Sequence, residues 1–449
     1  MVREKVLWGF LVVCGGLMAV TCHHTPETGI KIHLDKELAQ TSVTISVKDS
    51  VYSVKLDSLG NADILLKEDF LPEYTTCFYR RGWIPLYLEP GKSVEVFQNS
   101  DSLYFTGKGA EINRYLNSDF FKLYETDFRL KEKDFITSLE DRLKDCYYYL
   151  DSIDLDKNFK QIEKKRLYYE VYRRLALYPY QHARSTGLAD YRPSGEFVTF
   201  FESVAGEDES LMPLGEYLQL FRGLIEVEAS REQVEGDPLQ MLKHKLYFIG
   251  HQIKGPSLAA YLTDECMTGY VKNFGVDGIQ ELLPFYGMKV TDPAKAVKFR
   301  QLYAQWEKLA NGQPSPGFNY PDIRGGKVSL ADLKGKYVYI DVWATWCYFC
   351  CKELPGLKRL EGQLEGKNIC FVSISCDKDV EAWREKVEEE KLGGLQLNIG
   401  GNRKFMNDYL ISGIPRFILL DQEGKIISAN MTRPSNPNTL KMLSALPGL

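Results

Sequence analysis

The stretch Trp343-Ala-Thr-Trp-Cys347-Tyr-Phe-Cys350 decides the fold of the last third of this 449-residue chain. It follows Tyr337-Val-Tyr-Ile-Asp-Val342, an apolar run that is typical of a buried strand, and it opens a segment with helical spacing. Two cysteines separated by two residues at the start of a helix indicate a redox-active dithiol. The free amides and the dipole of a helix N-terminus stabilise a thiolate on the first cysteine. We therefore predict that Cys347 is the exposed attacking thiol and that Cys350 is the buried resolving thiol of a redox-active disulfide.

The residues around this motif alternate between predicted strands and predicted helices. Strands that alternate with helices indicate a central sheet with parallel pairs, so residues 312–449 are predicted to form an α/β domain. Beyond the first strand, the predicted elements are a helix from Cys347 to about Leu364, a strand at Ile369–Ser375, a helix at Asp379–Lys391, a hairpin around Gln422-Glu-Gly424 and a last helix from about Asn438 to Leu446.

Two further regions precede this domain, so the chain is predicted to be multi-domain. Residues 30–108 contain short β-like runs between turn residues, which predicts a small, all-β, sandwich-like domain. Residues 109–311 show helical spacing, as between Phe159 and Ala183, and predict a helical region. Asp292-Pro293 predicts the start of a helix that ends near Gly312. The linker Gly312-Gln-Pro-Ser-Pro-Gly317 then separates the helical region from the α/β domain.

Residues 1–22 have the pattern of an export signal. Arg3 and Lys5 precede an uncharged run from Val6 to Val20, which is shorter than the roughly 20 residues of a membrane-spanning helix. Ala19-Val-Thr-Cys22 resembles a bacterial lipobox, which implies that Cys22 is lipid-modified after cleavage and anchors the protein to a membrane. Ordinary cleavage, which would release a soluble exported protein, is the alternative. In both cases we expect a periplasm-facing location in the bacterial cell envelope, where disulfides persist.

Residues 312–449 resemble the thioredoxin superfamily and, within it, the membrane-tethered envelope reductases of the TlpA and ResA type. The resemblance is carried by Leu330-Ala-Asp-Leu-Lys-Gly-Lys336, Trp343–Cys350, Lys352-Glu-Leu-Pro355 and Gly413-Ile-Pro415. TlpA-like proteins also carry an inserted strand and helix between the cysteines and the last of these motifs. The resemblance implies a thioredoxin-like fold and thiol–disulfide exchange.

The same resemblance implies roles for several residues of the predicted site. Asp341 corresponds to a buried acid that relays a proton from Cys350, and burial would raise its pKa. A polar residue at a strand end is the alternative for Asp341. Pro415 is implied to hold a cis peptide bond and to let an extended substrate pair with Ile414. Arg416 replaces a small polar residue of the family, so we expect it to alter the substrate groove. The residues expected to contact substrate are Trp346, Tyr348, Phe349 and Ile414.

The remaining cysteines and the histidines refine this prediction. Cys351 is either a second resolving thiol or a small helix residue that faces away from Cys347, and we favour the latter. Cys370 and Cys376 are predicted to be structural thiols. All six histidines lie at or before His251, so the cysteine motif contains no histidine whose imidazolium could stabilise a thiolate. We therefore predict a reductase of protein or small-thiol disulfides that needs no cofactor and is supplied by a membrane or envelope electron donor.

Other functions fit the sequence less well. The 56 basic and 61 acidic residues leave a formal charge of -5, which argues against general nucleic-acid binding. A single Cys-x-x-Cys without a nearby histidine lacks the four ligands of a zinc site, so no metal is predicted. Thr345 stands two residues before Cys347 without the proline–threonine–cysteine pattern of thiol peroxidases. The main alternative is a non-enzymatic envelope binding protein on a thioredoxin-like scaffold, but the intact cysteine pair and Pro415 argue against it.

Overall fold

The computed structural model describes residues 27–47, 50–66, 70–80, 82–122, 125–188, 191–231 and 237–449. The predicted export signal and the predicted lipidation site at Cys22 lie outside these residues. The chain divides into two compact units, one comprising Met1–Asp127 with Leu143–Lys165 and the other Phe128–Arg142 with Arg166–Leu449. Among the helices in the described ranges, none has both the length and the apolar character needed to cross a bilayer.

The first unit contains two four-stranded sheets that share one hydrophobic core. Alternate residues of the strands Thr28–Leu34 and Ser42–Val47 are buried, because successive side chains of a strand point to opposite faces. The all-β prediction for this region is confirmed. The strands are β1 (Thr28–Leu34), β2 (Ser42–Val47), β3 (Ser50–Lys55), β4 (Asn61–Leu66), β5 (Glu73–Tyr79), β6 (Gly82–Leu88), β7 (Val94–Gln98) and β8 (Leu103–Thr106). They are ordered β4-β1-β7-β8 in one sheet and β3-β2-β5-β6 in the other.

A series of helices follows, as predicted. They are α1 (Ala110–Leu116), α2 (Asp119–Lys122), α3 (Glu132–Ser152), α4 (Lys157–Tyr172), α5 (Arg174–Thr186), α6 (Gly195–Val204), α7 (Gly215–Arg231), α8 (Pro238–Gln252), α9 (Pro256–Phe274), α10 (Leu283–Lys289) and α11 (Pro293–Glu307). The Asp292 carboxylate accepts hydrogen bonds from the amides of Ala294 and Lys295 and thereby caps α11. That helix ends at Glu307, several residues before the predicted end near Gly312, and turns follow it.

The C-terminal region is the predicted α/β domain. Its elements are β9 (Asn319–Pro321), β10 (Lys327–Ser329), β11 (Tyr337–Trp343), α12 (Tyr348–Gln363), β12 (Ile369–Ser375), α13 (Val380–Glu389), β13 (Leu395–Asn398), α14 (Lys404–Asp408), β14 (Arg416–Leu420), β15 (Ile426–Ser428) and α15 (Pro437–Ser444). Five strands form one sheet in the order β13-β12-β11-β14-β15. The pairs β11–β12 and β12–β13 are parallel, whereas β14 is antiparallel to β11.

Strand β11 lies at the centre of this sheet and is buried along its whole length. A strand with both faces covered reads as a continuous apolar run, which explains its sequence. On one face, Tyr339 packs with Leu357 of α12 and Phe417 of β14. At its carboxyl end, Trp343 joins a second cluster that contains Cys347 and Cys350. The cysteine motif therefore lies at the edge of the sheet where the parallel strands have their carboxyl ends.

Candidate active site

Cys347 and Cys350 are joined by a disulfide at the start of α12. Cys347 is the N-cap of this helix, and its Sγ accepts a hydrogen bond from the Cys350 amide at 3.1 Å. The amide of Cys351 donates to the Cys347 carbonyl oxygen at 3.0 Å. In the reduced protein, the same helix N-terminus would stabilise a thiolate on Cys347.

Cys347 is less exposed than the sequence predicts. Its relative exposure in the disulfide is 7 %, compared with 2 % for Cys350. The reason is the loop before β14, where Ile414 packs against the cysteine cluster. The Ile414 carbonyl oxygen lies 3.8 Å from Cys347 Sγ, and the Ile414–Pro415 peptide bond is cis. The structure thus brings together the two cysteines and the proline loop, which are distant in sequence.

A groove of about 1040 Å³ opens beside Cys347. The four residues that we expect to contact substrate all line it, namely Trp346, Tyr348, Phe349 and Ile414. Trp346 is 71 % exposed, Tyr348 64 % and Phe349 62 %. Adjacent exposed aromatic side chains are uncommon on a soluble domain unless they bind something. Their contact with substrate stays a prediction.

Asp341 lies on β11 and is buried. Burial raises the pKa of its carboxyl to about 8, and the negative charges of Glu353 and Glu361 add to the effect. Among the described residues, no hydrogen bond joins Asp341 to Cys350. A carboxyl group with a pKa near neutrality can accept or return a proton at physiological pH, which is the property that a proton relay requires.

Glu353 is a buried acid that the sequence analysis did not select. Its carboxylate accepts hydrogen bonds from the Ser435 amide at 3.1 Å and the Ser435 hydroxyl at 3.0 Å. Arg433 Nη1 lies 3.6 Å from the same group. Because its charge raises the pKa of Asp341, Glu353 belongs to the electrostatic surroundings of the site. The sequence feature that could have indicated Glu353 is its position three residues after Cys350, which places both residues on one face of α12.

Arg416 does not line the groove, contrary to our expectation. Its side chain is buried, and its guanidinium lies 5.9 Å from the ring centre of Trp306 in α11. Its Nη1 donates a long hydrogen bond to the Ala429 carbonyl oxygen at 3.4 Å. Burial lowers its pKa. The tryptophan of the helical region covers this residue, and the sequence of the α/β domain alone could not indicate such a partner.

The three other cysteines of this domain differ in position. Cys351 Sγ lies 3.6 Å from the Thr345 carbonyl oxygen and does not line the groove. Cys376 does line the groove, and its Sγ lies 3.3 Å from the Trp343 carbonyl oxygen. Burial raises the pKa of the thiols of Cys351, Cys370 and Cys376. These thiols are therefore poorer nucleophiles than an ordinary cysteine at neutral pH.

Known proteins share this domain. Residues 311–429 match the AhpC/TSA family. Over 129 residues, the chain is 30 % identical to a thiol-disulfide oxidoreductase ResA of Bacillus cereus, covering 29 % of this chain and 74 % of ResA. Through this domain, the chain belongs to the thioredoxin-like thiol-disulfide oxidoreductases related to ResA. The predicted resemblance and enzyme class are thereby confirmed.

Two further relatives come from Bacillus and Bacteroides. The thioredoxin-like protein YneN of Bacillus subtilis (strain 168) is 31 % identical over 134 residues, covering 28 % of this chain and 75 % of YneN. A candidate thiol-disulfide oxidoreductase from Bacteroides vulgatus, known from a solution structure, is 59 % identical in sequence to this chain. The match has a TM-score of 0.28 and covers 31 % of this chain and 95 % of the Bacteroides chain.

Proposed function

We propose that this ResA-like protein is an extracytoplasmic reductase of protein disulfides that works through Cys347 and Cys350. The position of the cysteine pair carries the proposal. Cys347 caps a helix, and its Sγ lies 3.8 Å from the Ile414 carbonyl oxygen. The same residue lines a groove of about 1040 Å³. Small-molecule sites span about 300–1,000 Å³. A groove slightly larger than that range, with exposed aromatic walls, favours a polypeptide segment over a small-thiol disulfide.

The first step is the attack of the Cys347 thiolate on the substrate. Its Sγ forms a bond to one sulfur of the substrate disulfide while the substrate S–S bond breaks. The released sulfur leaves with the bonding electron pair and takes a proton from solvent. Before the attack, the Cys350 amide stabilises the thiolate, because it points at Cys347 Sγ.

The second step is resolution by Cys350. Its thiol loses a proton and attacks Cys347 Sγ, so the Cys347–Cys350 disulfide forms, the mixed disulfide breaks and the second substrate sulfur leaves as a thiolate that is then protonated. Two electrons have then passed from the dithiol to the substrate. We assign the proton from Cys350 to Asp341. Because the pKa of Asp341 is about 8, its ionised fraction, and with it this step, increases as pH rises through that value.

The direction of exchange rests on the surroundings of Cys347. None of the described residues that line the groove is a histidine. Without an imidazolium the thiolate gains less stabilisation, and a less stable reduced form makes the couple more reducing. A dithiol donor of the membrane or envelope must then return two electrons to the Cys347–Cys350 disulfide after each turnover.

The extracytoplasmic location rests on residues 1–22 of the sequence. An uncharged run behind Arg3 and Lys5 supports export, and Cys22 in its lipobox-like context supports a lipid anchor. Cys22→Ser is expected to abolish lipid labelling in the native host and to release the protein from membranes. Continued labelling of this variant would place the anchor elsewhere.

The function is tested with the full-length reduced protein, a chemical thiol donor and a model protein that contains a disulfide. We expect catalytic reduction of the protein disulfide and, in a titration against glutathione, a Cys347–Cys350 disulfide more stable than that of glutathione. A less stable disulfide together with rapid oxidation of dithiols would overturn the reductase direction. Absence of exchange in either direction would instead favour the non-enzymatic binding protein.

A further inference from the structure

A buried carboxylate lies behind the loop that presents Cys347. Asp377 follows β12 and is 2 % exposed. Its carboxylate accepts hydrogen bonds from the Thr345 amide at 2.9 Å, the Thr345 hydroxyl at 2.9 Å and the Ser375 hydroxyl at 2.7 Å. A group that only accepts, surrounded by donors, is the hydrogen-bonding pattern of an ionised carboxylate. The loop between β11 and the attacking cysteine is therefore held by a negative charge.

The network behind Asp377 is itself held in place. The Ser375 hydroxyl oxygen accepts hydrogen bonds from the Asp377 amide at 3.0 Å and from the Asn398 side-chain amide at 3.2 Å. Ser375 and Asn398 end the neighbouring strands β12 and β13, where they are paired. The carboxylate thus has little freedom to turn away from the loop.

The charge of Asp377 also reaches the thiols around the site. Asp377 and Cys347 line the same groove. Burial is the main cause of the raised pKa of Cys376, and the Asp377 charge is the next. The same charge contributes to the raised pKa of Cys351, after burial and Glu390. Cys347 belongs to the same packed cluster as Cys351 and Cys376, so we expect the charge of Asp377 to act on its thiolate with the same sign.

The other charged groups around Cys347 differ from Asp377 in exposure. Lys378, Asp379 and Arg403 line the groove and are exposed, so solvent and salt screen them. The exposed Lys352 of α12 lies 4.6 Å from the ring centre of Tyr348. Asp341 and Glu353 are buried, and they remain unchanged in the two variants, Asp377→Asn and Thr345→Val, that test this inference.

We propose that Asp377 is a positioning residue that shifts the exchange towards reduction of the substrate, because its anchored negative charge disfavours the Cys347 thiolate and so favours the Cys347–Cys350 disulfide. The inference rests on the proposed exchange through Cys347. Destabilising the thiolate destabilises the reduced form, and a less stable reduced form donates its electrons more readily. Asp377 opposes the helix N-terminus, which acts on the same thiolate with the opposite sign.

The test compares Asp377→Asn with Thr345→Val in the full-length chain. Asp377→Asn removes the charge with little change in volume, whereas Thr345→Val removes one hydrogen bond to the carboxylate and keeps the charge. Alkylation of Cys347, followed by mass spectrometry against pH, measures its thiolate fraction. Equilibration with glutathione measures the stability of the disulfide.

In Asp377→Asn we expect the Cys347 thiolate fraction at pH 7 to rise about threefold to tenfold and the disulfide to become less stable by a similar factor. Thr345→Val should show neither change. A value for Asp377→Asn within twofold of the parent protein, or equal shifts in both variants, would overturn the inference. The glutathione equilibrium reports on the cysteine pair itself, so this result is independent of whether the parent protein reduces protein disulfides.

Discussion

The two sheet regions of this protein place acidic residues in opposite environments. In the N-terminal sheets, β1 alternates between buried residues and more exposed ones, and Glu95 on the neighbouring β7 accepts a hydrogen bond from His33 at 2.8 Å. That hydrogen bond, with one from Thr106, lowers the pKa of Glu95. In the C-terminal sheet, β11 is buried throughout, and burial raises the pKa of Asp341 to about 8. The comparison shows that burial of the strand decides the pKa of its carboxyl group. An accessible carboxyl group stays ionised, whereas a buried one can exchange a proton near neutral pH.

The largest expected effect on turnover comes from comparing a buried cysteine of the C-terminal domain, Cys347, with a buried cysteine of the N-terminal sheets, Cys77. Cys347→Ser should lower turnover of a protein disulfide at least about a thousandfold, because the attacking sulfur is lost. Cys77 is buried in β5 of the N-terminal region. Cys77→Ala is the matched control and should leave turnover unchanged, as measured with the same thiol donor. Substantial turnover by Cys347→Ser would show that another thiol attacks.

Cys350→Ala should separate attack from resolution. Because the resolving thiol is missing, the mixed disulfide with Cys347 should accumulate and remain visible on a non-reducing gel. Turnover should fall to a level close to that of Cys347→Ser. If no mixed disulfide accumulates while turnover persists, Cys351 or Cys376 resolves the intermediate, and a second substitution at each of these positions identifies which one.

Asp341→Asn should change the pH dependence of stability. With a pKa raised to about 8, the folded protein keeps the Asp341 proton that the unfolded chain releases near pH 4. The resulting stability is fully present below pH 4 and is lost as pH rises to about 8, whereas the asparagine variant has no such loss. Relative to the parent protein, Asp341→Asn should therefore gain about 5 kcal/mol between pH 4 and pH 9.

Denaturant unfolding at several pH values measures this difference, and Glu95→Gln is the comparison from the other sheet region. The pKa of Glu95 is lowered, so its contribution is present above its unfolded pKa and is lost as pH falls through the folded value. Glu95→Gln should thus differ from the parent protein in the opposite pH range. Equal pH profiles for Asp341→Asn and the parent protein would contradict the raised pKa.

Exposed tryptophans give a smaller effect. Trp346 is 71 % exposed beside Cys347, and Trp83 is 64 % exposed on β6. Trp346→Ala should lower kcat/KM for a protein disulfide about fivefold to tenfold, mainly through KM, because a contact surface for substrate is lost. Trp83→Ala should leave both constants unchanged. Equal decreases of kcat/KM in the two variants would contradict the proposal that Trp346 contacts the substrate.

The smallest effect is expected for Cys351→Ala. Its thiol contacts the Thr345 carbonyl oxygen and does not line the groove, so turnover should change less than about twofold. Steady-state rates with the model protein substrate measure this. A loss comparable with that of Cys350→Ala would assign Cys351 to the resolving step.

Most of the fold could be predicted from local patterns. Helix starts such as Asp292-Pro293 and the buried run of β11 are encoded by neighbouring residues, since caps and periodicity act over one or two turns. Element ends were less accurate, as for α11, and the helical spacing between Phe159 and Ala183 covers two helices, α4 and α5. A break between two helices depends on packing as well as on propensity, so periodicity alone did not reveal it.

The sequence by itself determined the chemistry of this protein, because the Cys347-Tyr-Phe-Cys350 spacing and the helix start are local features. Only the tertiary structure decided how that chemistry is tuned. It placed Glu353 beside Asp341, Asp377 behind the Thr345 loop and Arg416 against a tryptophan of another region. The members of each pair are separated in the chain, and they interact only when folding brings them together and excludes the water that would otherwise solvate their polar groups.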